Sequence, residues 1–257
     1  KEIEEKTGYK TNLCYNQNEQ WIEYFLRADD IVLYEDGKLG GDSYEPYADF
    51  FKLYEDGLKD GYVIDPSVFA ERSIGSVEQD PLVYGSSPET MSWCAFAYSN
   101  QLTATVSAAP EGTEIGLTTW PSADPKKSDY LKPSQFFAIS SDSKNPEEAA
   151  KILNFITNDV DCNNILLGER GIPLSSKTAE AIAPNLDETT QKVITFVNDV
   201  VSANSSQVNP PSTNGASEVN DLINKLQEQV CYGQLSAEDA GKQLFEQGNQ
   251  IMAENAG

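Results

Sequence analysis

Residues 91–102 read MSWCAFAYSNQL. Three rings, Trp93, Phe96 and Tyr98, stand in a run with no formal charge. That composition fits a half-buried extended segment better than a surface helix. Ser99, Asn100 and Gln101 close it with turn chemistry. Working outward, short apolar segments alternate with helical patterns on both sides, the mark of α/β architecture. Downstream, residues 115–120 read as a β-type segment before Pro121, residues 122–128 as a polar loop, and residues 136–140 as another strand. Asn145-Pro146-Glu147-Glu148 then opens a helix with an N-cap Asn and Pro at the first helical position, and Ala149, Ile152, Leu153 and Ile156 form one face. A stripe of Val193, Phe196, Val197 and Val200 follows, and later one of Val219, Leu222, Ile223, Leu226 and Val230. Ser236-Ala237-Glu238-Asp239 starts a terminal helix with Ala240, Leu244 and Ile251 inward.

Upstream, Trp21, Ile22, Phe25 and Leu26 recur at helical spacing, residues 31–34 read as a strand, and Asp36-Gly37 supplies a hairpin turn. Pro46 begins a helix whose stripe is Tyr47, Phe50, Phe51, Tyr54 and Leu58, ended by Gly61. Residues 1–6 resemble the last turns of a helix closing at Thr7-Gly8.

Composition removes several classes of function. The chain has 257 residues, 18 Lys+Arg against 41 Asp+Glu, and a net charge of −23. So negative a surface, without a basic stripe, repels phosphate backbones and argues against nucleic-acid binding. With 39% hydrophobic residues the chain is too apolar for a disordered acidic tail. No histidine is present, which excludes Ser-His-Asp and Cys-His catalysis and His-ligated metals. Cys14, Cys94, Cys162 and Cys231 lie far apart and form no zinc or redox motif, so they read as small apolar residues. No apolar run approaches the roughly 20 residues of a membrane span.

Asp159, Asp161 and Asn163 imitate the start of a calcium loop, but the sixth place is Asn164 and the twelfth Arg170, where Gly and Glu are needed. Capping by Asn158 or Asp159 of the helix carrying residues 165–167 is the simpler reading. Abundant carboxylates, with Glu19, Glu78 and Glu218 beside aromatic or small polar residues, leave a glycosidase pair conceivable in composition alone. Asn204-Ser205-Ser206 matches a glycosylation sequon, a pattern frequent by chance. No nucleophile elbow or phosphate-binding loop occurs, and no cofactor or metal is expected.

The aromatic clusters point elsewhere. Trp21 and Tyr24 neighbour Asn16, Gln17 and Glu19; Trp93, Phe96 and Tyr98 neighbour Ser99, Asn100 and Gln101. Saccharides need this mixture, since a ring covers the C–H face of a pyranose while amides and carboxylates bond its hydroxyls. The competing reading is that the rings only fill the core.

Several segments together resemble the extracellular solute-binding proteins (family 1 type) of bacterial carbohydrate ABC importers. MSWCAFAYSNQL at 91–102 resembles the strand and turn with aromatic sugar contacts, and LKPSQFFAI at 131–139 the return crossover. SKNPEEAAKILNFITND at 143–159 is similar to the helix after it. ERGIPLSS at 169–176, NPPSTNGASEV at 209–219 and YGQLSAEDAGKQL at 232–244 complete the order. The resemblance implies a type II periplasmic-binding-protein-like fold, here mainly the C-terminal lobe plus the segment returning to the N-terminal lobe, most of which is expected to be absent. Residues 1–111 and 158–257 would build the C-terminal lobe, and 112–157 the crossover segment. That segment would lack its sheet partners, leaving Ile115, Leu117, Phe136 and Ile139 to be covered by another chain or an altered packing.

The expected function is non-catalytic capture of an oligosaccharide for an ABC permease, by an extracellular or periplasmic protein anchored as a lipoprotein and monomeric when intact. The expected binding residues are Trp93, Tyr98, Asn100, Trp21, Asn16, Glu19, Ser217 and Glu218. The alternatives are a glycoside hydrolase or lyase fragment using an Asp/Glu pair, and an adhesion or scaffold module whose rings are purely core.

Overall fold

The computed structural model of the protein describes residues 1–13, 18–73, 75–133, 135–168 and 171–256. Two units emerge, Lys1–Tyr130 with Asn204–Gly257, and Leu131–Ala203. This division by compactness does not coincide with the expected boundaries at 112 and 157, which concern the lobe a segment serves rather than where it packs.

The first unit is built on four helices, Asn18–Arg27, Glu45–Lys59, Ala216–Cys231 and Ala237–Glu254. Their apolar stripes do what the spacing dictates. Tyr47, Phe50, Phe51 and Tyr54 of the second are fully buried, as are Val219 and Ile223 of the third and Ala240 and Leu244 of the fourth. Burying each large side chain contributes roughly 1.5–3 kcal/mol. Ser236 accepts from the Asp239 N–H at 3.1 Å, the expected cap. Helices Glu45–Lys59 and Ala237–Glu254 pack at the closest approach glycine permits: a Cβ on Gly241 would lie 2.5 Å from the Ala48 nitrogen and 2.7 Å from its Cβ. Any side chain there forces the helices apart.

Against these helices lies a small hairpin, Tyr34–Glu35 with Lys38–Leu39, turning through Asp36 and Gly37 at φ 51° and 74°. Both central residues are left-handed, as an Asp-Gly hairpin requires. The strand expected over 31–34 is thereby shortened and shifted. The other expected strands, 91–98, 115–120 and 136–140, are not assigned as strands either. A strand exists only through its neighbour, and among the described residues this pairing is reduced to isolated parallel bridges, Lys10 to Ser92, Thr11 to Val63 and Tyr130 to Ser206.

The second unit contains helices Pro146–Asn158, Val160–Leu166, Ser176–Ile182 and Glu188–Phe196, the last running into a wide turn over Val197–Val201. Ile182, Leu186 and Val193 are its buried apolar residues. Asp159 caps Val160–Leu166 by accepting from the Cys162 N–H at 2.9 Å, which is what that acid is for. Asn145 precedes its helix as expected but makes no capping bond, and Pro146–Asn158 buries none of its residues. Ile152 and Phe155 stay more than half exposed; of the four residues expected to lack cover, Phe136 is 84% exposed and Ile139 also exposed, while Ile115 and Leu117 are half-buried. No described helix is long and apolar enough to cross a membrane.

Candidate functional site

The aromatic segment at 91–98 is held by its backbone. Ser92 N–H donates to the Pro81 carbonyl at 2.9 Å and Trp93 N–H to the Lys10 carbonyl at 3.2 Å. Ser92 is buried and Trp93 is 46% exposed; residues 94–98 are half-buried, with Phe96 packed against the core. Cys94, the residue after Trp93, borders a buried polar knot. Asp80 accepts from Asn12 Nδ2 at 3.0 and 3.2 Å and from the Leu82 N–H at 2.8 Å. Thr11 Oγ1 meets Cys94 Sγ at 3.4 Å. Loss of water pushes the Asp80 carboxyl up to about 6, against the lowering effect of its donors and of Arg72. Burial also pushes the Cys94 thiol up.

Tyr98 ends the segment, its N–H donating to Gln101 Oε1 at 2.9 Å, and Ser99–Gln101 forms a single 3-10 turn with Asn100 exposed. Tyr98 is half-buried and its side chain hydrogen-bonds Tyr130.

Trp21 is at the centre of a ring cluster and only 4% exposed. Phe96, Trp120 and Tyr24 surround it with centroids at 5.2, 5.3 and 5.8 Å, and its Nε1 has no hydrogen-bond partner. The Tyr24 hydroxyl shares its proton between Asp129 Oδ1 at 2.7 Å and the Trp120 carbonyl at 2.8 Å. Burial raises the Asp129 carboxyl, partly offset by that phenol; its Oδ2 is buried and unpartnered. Burial, then Asp129, raises the Tyr24 phenol in turn.

Arg27, 5% exposed, ties this cluster to two loops. Its Nε donates to the Ser128 carbonyl at 3.1 Å, Nη1 to Asn209 Oδ1, and Nη2 to Ser206 Oγ and to the Gln207 carbonyl at 2.8 Å. Its guanidinium lies 4.7 Å from the Tyr130 ring centroid. Ser206 passes the bond on, donating to the Lys127 carbonyl at 2.6 Å.

The expected binding residues are thus partly gathered. Trp21 and the 91–98 segment meet through Phe96. Glu19 accepts from the Tyr34 hydroxyl at 3.3 Å, and the same hydroxyl lies 3.3 Å from the Ala216 carbonyl, which brings Glu19 to the start of the helix bearing Ser217 and Glu218. Ser217 and Glu218 are exposed in that helix's first turn, entered through Gly215 at φ 88°. Trp21 is a core ring, which corrects its expected role as a sugar contact: it has no face open to a ligand. Asn16 lies outside the described residues. Trp120, Tyr130, Asp129 and Arg27 were not singled out from sequence; Trp120 beside Pro121 was the one visible signal.

No family model matches the chain. Solved structures do. An extracellular solute-binding protein family 1 member from Alicyclobacillus acidocaldarius matches with a TM-score of 0.81 at 21% identity, over 97% of this chain and 62% of that one. A periplasmic oligogalacturonide binding protein from Yersinia enterocolitica, in complex with saturated digalacturonic acid, matches with a TM-score of 0.78 at 18% identity, over 98% and 63%. A de novo designed esterase matches with a TM-score of 0.76 at 18% identity, over 96% and 61%. The chain spans about three fifths of the length of each. A design for ester chemistry on the same framework shows why fold does not settle activity. What these likenesses establish is architecture: the chain has the fold of the extracellular and periplasmic solute-binding proteins.

Proposed function

We propose that the chain binds a short oligosaccharide without cleaving it and serves an ABC permease. The observation that carries this reading is Trp93, an exposed indole on a segment whose backbone is pinned on both sides. Leaving a large ring partly in water on so firmly held a support is the arrangement a pyranose face requires, and Tyr98 and Asn100, at the end of the same segment, are the polar partners proposed for the sugar hydroxyls. The Yersinia relative's digalacturonic acid supports a saccharide as the class of ligand. An extracellular or periplasmic location with a lipid anchor, and the lobe assignment of residues 112–157 as a crossover, belong to the same reading.

Trp93→Ala is expected to weaken binding of a responsive oligosaccharide roughly tenfold, while an exposed position leaves the unfolding temperature nearly unchanged. Calorimetric titration beside a thermal melt checks both. Equal affinity in the variant, or no saturable binding of any saccharide by the parent, sinks the reading. A hydrolase or lyase is separated by prolonged incubation: a binder returns the sugar intact.

A further inference from the structure

We propose that Tyr84 is a second saccharide-stacking ring, borne by the closed loop that leads into Trp93, and that the ligand is therefore an oligosaccharide of three or four units rather than one or two. The inference rests on the saccharide reading above and deepens it.

Tyr84 is 54% exposed, yet its ring is held. The Arg72 guanidinium lies over it, 5.1 Å from the ring centroid, which gives one face a partner and fixes the plane in which the ring stands. Arg72 is fixed in turn. It donates to the carbonyls of Gln79, Tyr84 and Thr90 at 3.3, 3.1 and 2.9 Å, and so grips the loop near its start, its middle and its end.

The loop closes on itself between these points. The Val83 and Tyr84 N–H groups both donate to the Asp80 carbonyl at 2.9 Å, and those of Ser86 and Ser87 donate to Thr90 Oγ1 at 3.1 and 3.2 Å. Gly85 lets the chain fold back beside Tyr84: a Cβ there would lie 2.5 Å from Met91 Cγ and 2.8 Å from the Thr90 carbonyl oxygen. Ser92 N–H to the Pro81 carbonyl, at 2.9 Å, shuts the base. Pro81 and Val83 are buried, while the adjoining Tyr84, the largest side chain of residues 79–92, is left in water. A ring ordered in advance loses little freedom when a ligand stacks on it.

The closure also spaces the two rings. Tyr84 lies three residues inside the Pro81–Ser92 bond and Trp93 one residue outside it, so their backbones are separated along the loop by up to about 15 Å. One sugar unit cannot cover both rings at such a separation, whereas three or four can.

The full chain, Tyr84→Ala and Tyr84→Phe are titrated calorimetrically with the di- and tetrasaccharides of the malto, cello, xylo and galacturono series. In the responsive series the parent is expected to gain about tenfold in affinity from two units to four, Tyr84→Phe to keep that gain, and Tyr84→Ala to retain less than about threefold of it. A gain that survives in Tyr84→Ala, or a parent that shows none, overturns the second ring and leaves the saccharide reading standing. Loss of the gain in Tyr84→Phe as well overturns stacking as the mode of contact. No saturable response in any series overturns the saccharide reading, and this inference with it.

Discussion

Arg27→Met is expected to destabilise the protein by about 3–5 kcal/mol, read by urea unfolding. Methionine fills the space of the stem but donates nothing. The Ser128 and Gln207 carbonyls, the Ser206 hydroxyl and the Asn209 amide then lose their donor in an interior where Asn209 Nδ2 already has no partner. Replacing a buried charge by an apolar residue is neutral only where its partners are replaced too, and here they remain. Arg27→Lys recovers little, because an ammonium is a point charge with three donors and cannot span four acceptors arranged around a planar fork. A Met variant within 1 kcal/mol of the parent would mean that water satisfies these groups as well as Arg27 does.

The second large effect is a pH dependence. Burial holds the folded Asp80 carboxyl at about 6 against the ordinary 3.8, so the folded state holds this proton more tightly than the unfolded chain. Stability from this group is complete below the unfolded value and is lost as pH rises through the folded one, a change on the order of 3 kcal/mol between about pH 3.5 and 7. Carboxylates such as Asp65 and Asp187 are shifted down and act in the opposite sense, so the useful quantity is a difference. Asp80→Asn keeps an acceptor for Asn12 and Leu82 and removes the titration. The stability of the parent minus that of the variant should fall by that amount across the window; a flat difference refutes the assignment. Because Asn12, which donates to Asp80, also faces Cys94 Sγ, the same titration is expected to loosen the segment that carries the exposed indole.

Much of the helical framework was legible in the residues. The Tyr47, Phe50, Phe51, Tyr54 stripe and the Val219, Leu222, Ile223, Leu226, Val230 stripe define their buried faces unaided, and Ser236, Gly61 and Asp36-Gly37 punctuate the chain where expected. The strands were misjudged for one reason. A helix satisfies its own backbone, whereas residues 115–120 and 136–140 need a neighbour that composition cannot supply. The site was half legible for a related reason. Spacing places Trp21 and Trp93 next to similar amides, but only packing decides that one fills the interior and the other faces water. Arg27 and Asp129 carried no signal, since a single charged letter acquires meaning only from the carbonyls and phenols brought to it.

The pairing of Tyr130 with Ser206 has an architectural consequence. The chain departs from its larger unit at one member of that pair and is back within two residues of the other, and every residue of the main apolar cluster belongs to that unit. Residues 131–203 are in this sense a detour spliced into a domain that closes without them. A few linking residues across the gap would suffice to make a miniature protein that keeps the Arg27 hub, the ring cluster and the exposed Trp93 together.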